Sequence, residues 1–152
     1  MKYYSLNKIL QYNADYNIII GERSNGKTYA CLLHALEQYL TVGKQSAYIR
    51  RWREDITVKR AQSIYSPFDI DKISKGKWSH VVFKSGGFFL AKYDEGKGKF
   101  VYDIKPFMFA FALSNIEHDK STAYPNVTTV IFDEFITRQY YLKDEFILFM
   151  NT

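Results

Sequence analysis

Residues 16–20, Tyr-Asn-Ile-Ile-Ile, are β-branched and almost wholly apolar and meet Gly21 at once, the pattern of a buried strand running into a glycine turn. From Thr28 onward Leu32, Leu33, Leu36, Tyr39 and Leu40 recur at helical spacing, and Gly43 stands where a left-handed helix end is wanted. Residues 46–49 read as a short second strand. It ends in Arg50, Arg51 and Arg53, which open a stretch to Arg60 dominated by positive charge. Turn signals at Ser66-Pro67 and Lys75-Gly76-Lys77 surround a weak apolar pattern over 61–77 that assigns no element. Between Val81 and Ala112, aromatic and β-branched runs are parted by Ser85-Gly86-Gly87 and Glu95-Gly96-Lys97-Gly98, which predicts consecutive antiparallel strands joined by hairpins and decorating a main sheet. The run 127–132 predicts a further buried strand, ending in Asp133-Glu134, and 143–150 predicts a short closing helix. The chain shows no internal repeat and no low-complexity segment.

The first glycine turn carries a motif. Gly21-Glu22-Arg23-Ser24-Asn25-Gly26-Lys27-Thr28 fits G-x-x-x-x-G-K-[ST] at every fixed position. Phosphates concentrate negative charge, so such a loop turns backbone N–H groups inward, and glycines allow angles and close approach that a Cβ would block. The helix that follows, opening through Thr28 and Tyr29, adds its positive end. Lys27 is placed to reach the β and γ phosphates, and the Thr28 hydroxyl is a natural Mg²⁺ ligand. Average composition gives this match by chance in roughly one chain of this length in two hundred, and the predicted strand before it and helix after it lower that further.

Asp133 and Glu134 gain meaning from that loop, because strand ends in α/β sheets are where ligands bind. Asp133 is expected to hold magnesium, directly or through water, and Glu134 to orient and deprotonate the attacking water. A signalling GTPase would more typically show Asp-x-x-Gly where this chain has Asp133-Glu134-Phe135-Ile136, so a glutamate-dependent ATPase is favoured. No further set of acids suits a two-metal nuclease.

Three segments resemble the DNA-packaging ATPases (encapsidation proteins) of phi29-like tailed phages, a branch of the terminase-like viral packaging motors. They are Asn17-Ile18-Ile19-Ile20-Gly21 through Lys27-Thr28-Tyr29-Ala30, then Ala47-Tyr48-Ile49-Arg50-Arg51, and most specifically Ser121-Thr122-Ala123-Tyr124-Pro125-Asn126-Val127 through Asp133-Glu134-Phe135-Ile136. Residues 60–115 match weakly. The resemblance implies an ATPase that assembles as a homo-oligomeric ring on the portal of an empty procapsid and drives double-stranded DNA inward, with ATP and Mg²⁺ as cofactors. It implies an α/β fold: a P-loop NTPase core of the RecA-like/ASCE type, with a mainly parallel sheet, helices and an antiparallel β-hairpin insertion. Members of the family continue past Thr152 into further core strands, an arginine acting across subunits and a nuclease-like domain. Residues 1–152 are therefore expected to be an N-terminal ATPase domain, truncated, with weak isolated turnover. Other packaging motors carry a basic residue in this loop, which suggests added charge at the γ phosphate from Arg23.

Arg51, Arg53, Lys59 and Arg60, with Arg50, are expected to face DNA phosphates, which would make binding salt-dependent. Arg50 or Arg51 instead supporting the nucleotide from within the sheet is an open alternative. The formal net charge of +5 suits a polyanionic partner without demanding one. The aromatics lie mainly on predicted strands, where their expected use is packing rather than stacking on bases. His34, His80 and His118 share no ligand spacing, and the single Cys31 forms no internal disulfide, which fits a reducing compartment. The longest apolar run, 107–113, is too short to span a bilayer. The expected location is the host cell cytoplasm, transiently on the procapsid, without secretion. Competing readings are a replication or recombination ATPase and a nucleotide-gated assembly module with negligible turnover alone.

Overall fold

A computed structural model describes residues 4–23, 26–118, 122–137 and 140–150. The chain runs through α1 (Asn7–Leu10), α2 (Lys27–Val42), β1 (Gln45–Arg50), a 3₁₀ turn (Arg53–Ile56), α3 (Val58–Ser63) and α4 (Ile70–Ile73). It continues through β2 (His80–Lys84), β3 (Gly87–Asp94), β4 (Lys99–Tyr102), β5 (Met108–Ala112), a 3₁₀ segment (Leu113–His118), β6 (Val127–Phe132) and α5 (Glu145–Met150). Six strands form one sheet in the order β2-β3-β5-β1-β6, with β4 beside β3.

Helix α2 forms as its sequence dictates. Gly26 adopts φ +83° ahead of it, and Gly43 adopts φ +71° after it, donating its N–H to the Tyr39 carbonyl. A left-handed conformation at both ends is open to glycine at little cost. The helix lays Ala30, Leu32, Ala35 and Leu36 on the sheet, and each fully buried leucine contributes about 1.5–3 kcal/mol. Beneath them Tyr48, Phe83, Phe88, Leu90, Phe107 and Met108 make the main core. Tyr65 closes it: its ring meets Phe88 and Phe107 edge-on, and its hydroxyl donates to the Leu32 carbonyl at 3.2 Å. The opposite face carries a smaller cluster around Ile49, Leu113 and Ile116.

The expected RecA-like/ASCE P-loop core with a mainly parallel sheet is overturned. The sheet is mixed. Among the described residues, β1 pairs in parallel with β5 and β6, whereas β3 pairs antiparallel with β2, β4 and β5. The predicted hairpins form, but they do not merely decorate the sheet, because β5 lies between β3 and β1 in its middle. The strand predicted over 16–20 is absent: those residues join no ladder, and Ile18 and Ile20 are each 72% exposed. Composition favours extended backbone, but a strand also needs ladder hydrogen bonds to a neighbour, and residues 16–20 make none, the outer edge of β6 included. The weakly patterned stretch 61–77 holds the end of α3 and the short α4, each begun by a side-chain cap, Thr57 and Asp69.

Candidate functional site

Parity and register assemble the site. In the β1–β6 ladder Tyr48 lies opposite Ile131 and Ile49 opposite Phe132, so the next pair sets Arg50 beside Asp133, whose N–H donates to the Ile49 carbonyl at 3.2 Å. Alternate side chains share a face. Tyr48, Arg50 and Asp133 therefore emerge on the face covered by α2, and the first turn of that helix brings Thr28 to meet them.

Thr28 Oγ1 donates to Asp133 Oδ1 at 3.0 Å, and Tyr48 Oη donates to Asp133 Oδ2 at 3.0 Å. Arg50 lies across both acids: Nη2 is 3.0 Å from Glu134 Oε2, and Nη1 is 3.9 Å from Asp133 Oδ2. The Asp133 side chain is 18% exposed and that of Glu134 66%. Glu134 adopts φ +54° just past β6, an uncommon region for a residue with a Cβ. The turn leaves its carboxylate more exposed than that of Asp133, with Arg50 as its partner. Burial, reinforced by the Asp133 charge, raises the pKa of the Tyr48 phenol, so this hydroxyl stays a donor across the physiological range. Burial followed by the same charge raises the Cys31 thiol, keeping it protonated and inert.

In the predicted phosphate loop, Lys27 Nζ donates to the Gly21 carbonyl at 2.9 Å and to the Glu22 carbonyl. The loop thus closes over its own lysine. Gly21, Glu22 and Arg23 are exposed and Gly26 sets up the helix, while Ser24 and Asn25 lie outside the described residues. The Tyr29 ring stacks on Phe68 with centroids 4.3 Å apart, so its side chain belongs to the helix packing. Ser121, at the start of the most specific family segment, also lies outside the described residues, as does the His118 side chain.

The oxygens present suit magnesium in one respect. Two adjacent ligands of an octahedral Mg²⁺ at about 2.1 Å each stand about 3 Å apart, which is the Thr28–Asp133 separation. Among the described residues no three His, Cys, Asp or Glu side chains gather to hold a metal. A two-oxygen site of this kind would leave most positions to water and phosphate oxygens, as Mg²⁺ prefers.

The basic stretch divides. Arg51 points to the other face of β1, is 5% exposed and is bound at every side: to Glu145 Oε1 through Nε and Oε2 through Nη2, and to the carbonyls of Glu134 at 3.2 Å and Phe135 at 2.6 Å. The expectation that it faces DNA is corrected, because strand alternation turns it inward where Arg50 turns toward the acids. Arg53, Lys59 and Arg60 are exposed, and Arg60 pairs with Asp55 at 3.1 Å. Tyr48 and Glu145 were not singled out from the sequence. The signal for Tyr48 was available: two residues before Arg50 on a strand parallel to the acid-bearing one, it had to share its face.

Among the described residues no helix is long and apolar enough to cross a membrane. The model for the podovirus DNA encapsidation protein (Gp16) family matches residues 1–152. A curated relative, the DNA packaging protein of Bacillus phage phi29, is 28% identical over 137 residues, 88% of this chain and 35% of the relative. The chain thus spans about a third of the length of the curated relatives it matches. The crystal structure of the N-terminal domain of the DNA packaging ATPase from bacteriophage phi29 superposes with a TM-score of 0.76 at 28% identity, over 98% of this chain and 69% of that one. This supports a mixed α/β unit with a six-stranded sheet in place of the P-loop core predicted. The bacteriophage phi29 genome packaging motor assembly contains a chain similar at TM-score 0.73 and 28% identity, over 98% of this chain and 41% of that one.

Proposed function

Since the chain belongs to the podovirus DNA encapsidation protein family, we propose that it binds ATP and forms the hydrolytic part of a DNA-packaging motor. The observation that carries this reading is the Thr28–Asp133 hydrogen bond, which joins a phosphate-loop motif to a strand-end acid 105 residues away. Two segments that share no local structure meet at the atoms that nucleotide chemistry would use. The reading needs the loop, α2 and the end of β6, and does not need a RecA-like sheet.

The triphosphate lies along residues 21–28, with Lys27 exchanging its carbonyl partners for phosphate oxygens. Thr28 and Asp133 would hold Mg²⁺, which when bound would neutralise phosphate charge. Glu134 orients a water and takes its proton as the water oxygen bonds to the γ phosphorus. The bond from that phosphorus to the bridging oxygen breaks, and the electron pair leaves with ADP. In Asp133→Asn, the magnesium-dependent gain in ATP affinity falls about tenfold, as expected when a charge-assisted contact is lost. Equal gain in both proteins, measured by calorimetry with and without Mg²⁺, would count against the assignment.

A second reading, a nucleotide-gated assembly module with negligible turnover alone, is favoured by one contact. Arg50 pairs with the Glu134 carboxylate at 3.0 Å, which restrains the general base in this state. Double-stranded DNA, further copies of the chain in a ring and the viral portal and procapsid are proposed as partners. Family membership supports them, as does likeness to a chain in a packaging motor assembly. Arg53 and Lys59, exposed in the stretch that follows β1, are proposed to meet DNA phosphates. Reversing both to Glu should weaken DNA binding by the assembled motor and flatten its salt dependence by about two charges' worth; an unchanged salt slope excludes them.

A further inference from the structure

Beside the two acids lies a cavity of about 330 Å³ lined by Tyr48, Arg50, Asp55, Arg60, Ser63 and Ile64 among others. Arg50 is the wall between this space and the site. Its Nη2 reaches Glu134 Oε2 at 3.0 Å on one side and Asp55 Oδ2 at only 3.7 Å on the other. Across the cavity, Arg60 Nη1 donates to Asp55 Oδ1 and to the Glu54 carbonyl, both at 3.1 Å. Its Nε and Nη2 have no hydrogen-bond partner among the described residues. Two guanidinium groups thus share one carboxylate, against a wall of Ile56, Ala61 and Ile64 that lowers the local dielectric. Planar forks with donors to spare recognise tetrahedral oxyanions. The volume is at the lower end for small-ligand sites, about 300 Å³, which suits an oxyanion better than a nucleotide.

The geometry points to this cavity as an oxyanion site, and, resting on the hydrolysis reading above, to inorganic phosphate as its ligand. Phosphate released beside Glu134 passes Arg50, whose weak hold on Asp55 gives way to the anion, and pauses between Arg50 and Arg60 before leaving. Arg60 is then a phosphate-exit residue rather than one of those meeting DNA.

Titration of the nucleotide-free chain with inorganic phosphate, followed by phosphorus NMR line broadening, tests this. Saturable binding is expected in the wild type, weakened about tenfold or more in Arg60→Ala and tightened in Asp55→Asn, which removes the competing carboxylate. In Lys27→Ala the Arg60-dependent part of the phosphate binding should remain. No saturable binding, or binding lost in Lys27→Ala and kept in Arg60→Ala, overturns the inference, the latter by moving the anion to the loop. The opposite-signed effect of Asp55→Asn separates lost contacts from lost folding. Should ATP fail to bind while phosphate behaves as stated, the hydrolysis reading fails and the oxyanion site stands.

Discussion

Glu134→Gln leaves ATP binding intact and slows hydrolysis by about 10²- to 10⁴-fold, the usual contribution of a positioned general base. Glutamine keeps the length and shape of the side chain and can still accept a hydrogen bond from Arg50, so the left-handed turn at Glu134 (φ +54°) is not further disturbed. What it loses is the ability to take a proton. Phosphate release by the assembled motor and ATP titration of the same preparation separate the two effects. A rate within about tenfold of the wild type would assign the proton to another group, and lost ATP binding would make Glu134 a binding residue.

Arg51→Ala lowers the unfolding free energy by about 3–5 kcal/mol, the range for removing one partner of a buried ion pair. The guanidinium ties β1 to α5 through Glu145, whose side chain is only 14% exposed, and satisfies the carbonyls of Glu134 and Phe135 at the turn past β6. It also lies over the rings of Phe132, at 5.6 Å, and Tyr141, at 4.9 Å. Alanine leaves two carbonyls without this donor and a nearly buried carboxylate with the Leu142 N–H, at 3.4 Å, in place of a charged partner. Urea denaturation reads the loss as a lower midpoint, and a midpoint shift worth less than about 1 kcal/mol would place Arg51 among ordinary surface arginines.

Much of this was legible from the residues. Helical spacing from Thr28 and a glycine at 43 fixed α2 because both signals are local, and the same holds for the hairpins at Gly86-Gly87 and at 95–98. The strand-end position of Asp133-Glu134 followed from an apolar run with a clear end. The failures concern what lies next to what. Residues 16–20 carry a strand's composition, yet a ladder depends on pairing with a distant strand, which local composition does not encode. Whether β5 would border the hairpins or sit inside the sheet depends on pairings between distant residues. Arg50 and Arg51 look alike in sequence, but one residue of strand parity sends the first to the acids and the second into the interior. Alternation was the unused evidence there, and it also placed Tyr48.

The most direct test of ATP binding at residues 21–28 is calorimetric titration of the chain with ATP in the presence of Mg²⁺, wild type beside Lys27→Ala. Lys27 Nζ already sits within the loop, on the Gly21 and Glu22 carbonyls, and two charge-assisted bonds to phosphate are worth about 3 kcal/mol or more. The prediction is saturable binding that Lys27→Ala weakens by about 100-fold. Equal binding by both proteins, or none by the wild type, would contradict it.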